Sequence, residues 1–106
     1  MTHKIEVPES VLYPKASEEK VESQPVKHIE KKNRTVVLRP LTINQIAVVA
    51  KASKDDRSLL PALMIHESLV EPKLSLEQIR QMHFGLASFL ISKINKISGM
   101  EVSENF

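Results

Sequence analysis

Cysteine is absent from this chain, which excludes disulfide stapling and every thiolate metal site and is compatible with a reducing compartment. Tryptophan is missing too, and aromatic residues make up only 4% of the sequence, too few to stack the bases of a single strand. Glycine occurs only as Gly85 and Gly99, so neither a phosphate-cradling loop nor a dinucleotide fingerprint exists. No apolar run approaches the roughly 20 residues that span a bilayer, and the opening MTHKIEVPES lacks the apolar stretch of a secretory signal. A soluble, cytoplasmic protein is expected.

Charge of one sign is scarce as well. The net charge is +2, and the first 33 residues carry six basic and six acidic side chains. The small excess therefore lies in Arg34–Phe106, without the clustered basic face that nucleic-acid binding asks for. With 106 residues, 42% of them hydrophobic, the chain makes one domain with a small core.

The chemistry-bearing residues do not assemble into a site. His66-Glu67 opens like the zinc-protease HExxH helix, but Val70 stands where the second histidine is required. His83 falls on an apolar stripe, where a lone histidine reads as a hydrogen-bonded core or boundary residue. Asp55-Asp56 reads as a solvated turn that puts acid before a helix N-terminus, since no further oxygen ligands follow at loop spacing. No serine sits in a nucleophile elbow. No catalytic residue, metal or cofactor is expected.

What the chain does have is concentrated between Ser75 and Gly99. Ser75 and Gln78 form a capping box, and Gly99 supplies a left-handed stop. Between them Leu76, Ile79, His83, Leu86, Leu90, Ile94 and Ile97 recur at steps of three and four, the signature of one amphipathic helix over 75–98. Met82 and Phe89 widen the stripe on one side, and Phe84, Ala87 and Ile91 on the other. Apolar side chains then cover more than half the circumference, so a second element or a partner must lie on each flank. Gly85 in a helix interior costs roughly 0.5–1 kcal/mol relative to alanine, which predicts close approach of another backbone there, from another helix of this domain or from a subunit.

The rest follows in order. Residues 1–25 hold Pro8, Pro14, Pro25 and a mixed-charge run from Lys15 to Gln24, and read as a disordered N-terminal arm. Short β-prone runs at 26–30 and 34–39, separated by Lys31-Lys32-Asn33, predict a hairpin, with Asn33 in a left-handed turn and Pro40 ending the second strand. Thr42 and Gln45 make another capping box, opening a helix over 42–53 with Ile43, Ile46, Ala47, Val49 and Ala50 at helical spacing. A further helix over 57–70 tolerates Pro61 in its first turn and stops before Pro72. Residues 100–106 are a C-terminal tail. The sum is a mostly α, α+β domain over 26–99: three helices behind a hairpin.

The order of these elements, with Arg39-Pro40-Leu41-Thr42, Ser68-Leu69-Val70-Glu71-Pro72 and Ile97-Ser98-Gly99 at their junctions, resembles the small tail assembly chaperones of long-tailed bacteriophages and prophages. The resemblance covers about Thr35 to Gly99. It implies a non-enzymatic protein of the bacterial cytoplasm that binds the long, helical, apolar tape measure protein during tail morphogenesis. Met82, Phe84, Gly85, Leu86, Phe89 and Ile91 are the expected partner-binding residues, with self-association a further expectation. Two other readings stand beside it: a structural tail or baseplate component, and a small DNA-binding regulator using 42–53 and 58–70 as a helix-turn-helix. Against the latter, neither helix opens with the Arg, Lys, Asn and Gln side chains that read a groove.

Overall fold

The computed structural model describes residues 1–14 and 23–99, which form a mostly helical α+β domain. Its elements are β1 (His3–Glu6), α1 (Glu9–Leu12), α2 (Gln24–Lys31), β2 (Thr35–Leu38), α3 (Ile43–Ala52), a 3-10 turn at Arg57–Leu59 running into α4 (Leu60–Ser68), β3 (Leu69–Glu71), α5 (Leu76–Arg80) and α6 (Phe84–Ile97). The strands make an antiparallel sheet in the order β1-β2-β3.

The sheet is half-buried, and its pleat decides which half. Val36 and Leu38 on β2 are fully buried, and Ile5 opposite Val36 packs on the same side. Lys4 and Glu6 point the other way and are exposed. One continuous core forms between that inner face and the helices, from Val26 and Ile29 of α2, Ile65 of α4, Ile79 of α5, and Leu86, Leu90 and Ile94 of α6.

Four expectations are corrected here. The N-terminal segment is not an arm: His3–Glu6 pairs with Thr35–Leu38 along its length, and Val7 and Leu12 lie fully buried in the core. That pairing joins residues some thirty positions apart, which local composition does not register. Residues 15–22 of the expected arm, and the expected tail 100–106, lie outside the described residues.

The expected strand at 26–30 is helix α2. Pro25 sits in its first turn, where a missing amide hydrogen costs nothing, and Pro25, Val26 and Ile29 meet the core along one face. Burial of that face outweighs the β-propensity of Val26 and Ile29. In place of the expected hairpin, α2 turns directly into β2, with Asn33 left-handed as expected and Arg34 left-handed beside it.

The expected helix over 75–98 is two helices. It breaks at Gln81-Met82-His83, where His83 turns extended and its Nδ1 accepts from the Leu86 amide at 3.3 Å as the cap of α6. The break places Gly85 in the first turn of a new helix, where its poor helix propensity matters less than in an interior. The expected helix over 57–70 is also trimmed: α4 ends at Ser68, and Leu69–Glu71 joins β2 as the edge strand β3.

Both expected capping boxes are present. Thr42 Oγ1 accepts from the Gln45 amide while Gln45 Oε1 accepts from the Thr42 amide, and Ser75 and Gln78 repeat the arrangement. Gly99 closes α6 with φ +73°.

Candidate functional site

The three sequence pieces that carried the family resemblance meet at one junction. Arg39 leaves β2 with its amide donating to the Ser68 carbonyl at 2.9 Å and its Nε donating to the Glu67 carbonyl at 2.9 Å. Buried Ser68 returns its hydroxyl to the Arg39 carbonyl at 2.7 Å. Two residues on, the Leu41 amide donates to Oγ of Ser98, the residue that ends α6, at 2.9 Å. Thr42 then caps α3. These residues tie the strand, the end of α4 and the end of α6 together, so their work is architectural.

The junction fixes α4 beside α6, and a groove opens between the two. Leu60, Pro61 and Met64 of α4 face Phe84, Ala87, Ser88 and Ile91 of α6 across about 350 Å³. Ser88 is the only one of these side chains with a polar group. Phe84 stands at the first turn of α6 with 85% of its surface exposed. A ring that open at the mouth of an apolar groove gains nothing from its own fold.

The expected partner-binding set divides in two. Met82 and Leu86 lie in the domain's own core, with 8% and 0% exposed. Phe89 is half-buried against that core, with the Lys93 ammonium 5.4 Å from its ring centroid. Phe84 and Ile91 line the groove. Gly85 is exposed, and among the described residues a Cβ there would meet only the His83 ring, at 3.4 Å. Among the described residues, then, no helix of this domain makes the predicted close approach.

The α4 side of the groove was not anticipated. Its signal is present: Leu60, Ala62, Leu63, Met64 and Ile65 leave the helix apolar nearly all round, which requires a neighbour on more than one side. A second apolar surface lies on α3, which buries only Val49. Ile43 and Val48 are 86% and 59% exposed, and Ile46, Ala47 and Ala50 are exposed beside them. Ile43, Ile46, Ala47 and Ala50 make an apolar stripe from Ile43 to Ala50 without a cover among the described residues. That stripe is the opposite of the polar surface a groove-reading helix presents.

The other candidates stay apart. His66 is exposed on α4, and Asp56 closes the turn before it, where the Ser58 hydroxyl and then the Ser58 amide donate to its carboxylate and hold it below the ordinary carboxylate range. Among the described residues no three His, Asp or Glu side chains gather as a metal site, and no helix is long and apolar enough to cross a membrane. Comparison with protein-family models, with curated proteins and with solved structures gave no match.

Proposed function

We propose that this protein is a non-enzymatic phage tail assembly chaperone that holds apolar helical segments of a tape measure protein until the tail tube forms around them. The observation that carries the reading is the open groove between α4 and α6, with Phe84 exposed at its mouth and Met64 and Ile91 along its walls. A groove between two helices receives the apolar face of a third, with anchors spaced three and four residues apart. Methionine suits a surface that must accept many related segments, because its unbranched side chain repacks at low cost, and phenylalanine adds a large apolar area. The exposed stripe on α3 adds apolar area outside the groove.

The chemistry of the contact sets its test. An apolar contact with little charge in it resists salt, whereas a charge-driven one weakens as salt rises. Co-expression with a tape measure protein from a tail gene cluster, followed by size exclusion at low and high salt, should yield a soluble complex at both. Free chain alone beside an insoluble tape measure protein would contradict the proposal.

A further inference from the structure

The outer edge of the sheet is open along β1. β1 is an edge strand, and the direction of its backbone groups follows from one hydrogen bond: the Val7 amide donates to the Arg34 carbonyl of the neighbouring chain segment at 2.7 Å. Successive residues of a strand send their amides and carbonyls to alternate edges, so His3, Ile5 and Val7 direct theirs to β2. Lys4 and Glu6 direct theirs outward, and both side chains are exposed on the outer face. No described residue extends the sheet beyond them.

We infer that two copies of this chain join through β1 in antiparallel register about Ile5, making one continuous sheet in the order β3-β2-β1-β1-β2-β3. An antiparallel partner must set outward-facing residues against outward-facing residues, and a copy of β1 has three ways to do so. Lys4 against Lys4 brings like charges together. Glu6 against Glu6 does the same and sets Lys4 against Pro8, which has no amide hydrogen to give. Lys4 against Glu6 places opposite charges face to face twice, by symmetry, and closes four main-chain hydrogen bonds.

The same register completes the inner face. Ile5 lies on the side of Val36 and Leu38 and is only half-buried. In the two-fold pair it faces Ile5 of the second copy at a non-hydrogen-bonded position, where side chains come closest. The apolar layer then runs unbroken from one subunit to the other, and the open edge of both is removed. The contact is short, so the dimer is weak and depends on concentration. It leaves the groove between α4 and α6 free and stands or falls independently of it.

Sedimentation velocity over a wide concentration range tests the inference, with circular dichroism confirming each variant's fold. The natural chain should pass from monomer to dimer. Lys4→Pro removes an outward amide and sets a ring in the seam while sparing every bond to β2. It should raise the dimer dissociation constant at least about tenfold, because two ladder bonds go with it. Lys4→Glu should likewise weaken the dimer, and Lys4→Glu with Glu6→Lys should restore it. A chain that stays monomeric at its highest concentration, a Lys4→Pro variant that dimerises like the natural chain, or a dimer lost in Phe84→Glu instead, would overturn it.

Discussion

Arg39 and Ser68 show how much single residues contribute to placing the site. The Ser68 hydroxyl is wholly buried and serves one acceptor, the Arg39 carbonyl. Ser68→Ala removes that bond and leaves a carbonyl short of a partner, for a loss of about 1–2 kcal/mol in unfolding by chemical denaturant. Gly85 works in the other direction. Its φ is not left-handed, it is exposed, and a Cβ has room beside the His83 ring. Gly85→Ala should therefore raise stability by about 0.5–1 kcal/mol in the same measurement, since alanine restricts the unfolded chain and favours the first turn of α6. A loss on that substitution would restore the idea of a tight backbone contact there. His83 is the residue whose role composition hides most completely. Its spacing to Ile79 and Leu86 fits the apolar stripe, yet Nδ1 accepts as a cap while the buried Nε2 has no hydrogen-bond partner among the described residues.

At the scale of elements, what could be read from sequence was whatever local chemistry decides. The pairs Thr42/Gln45 and Ser75/Gln78 announce helix starts because each hydroxyl and amide side chain satisfies a backbone group three residues away. Asn33 and Gly99 mark left-handed turns for equally local reasons. What composition did not reveal depends on distant partners. Val26 and Ile29 favour a strand by propensity and become a helix because α2 has a core to cover. Glu6 and Thr35 pair across 28 intervening residues, and nothing near His3 signals it. The groove is half legible for the same reason. Phe84 and Ile91 stand out on their own helix, whereas Leu60, Pro61 and Met64 become groove residues only once the Arg39 and Ser98 junction sets α4 beside α6. Leu12→Ala should cost about 2–4 kcal/mol in thermal or denaturant unfolding, as for any buried leucine, where a free arm would show no change.

The whole molecule divides its apolar surface into a part it uses and a part it leaves open. One core joins the inner face of the sheet to α2, α4, α5 and α6, and it takes in Met82 and Leu86. The groove mouth at Phe84 and the stripe on α3 remain outside that core. The proposed chaperone function rests on that open remainder. Exposed phenylalanine contributes little to folding, so Phe84→Glu should leave the unfolding free energy within about 0.5 kcal/mol of the natural chain. The most direct measurement is then a side-by-side capture of a tape measure protein by the natural chain and by Phe84→Glu, both checked for equal stability. The natural chain is predicted to bring the tape measure protein into the soluble fraction and the variant to leave it insoluble; equal capture by both would contradict the groove as the binding site.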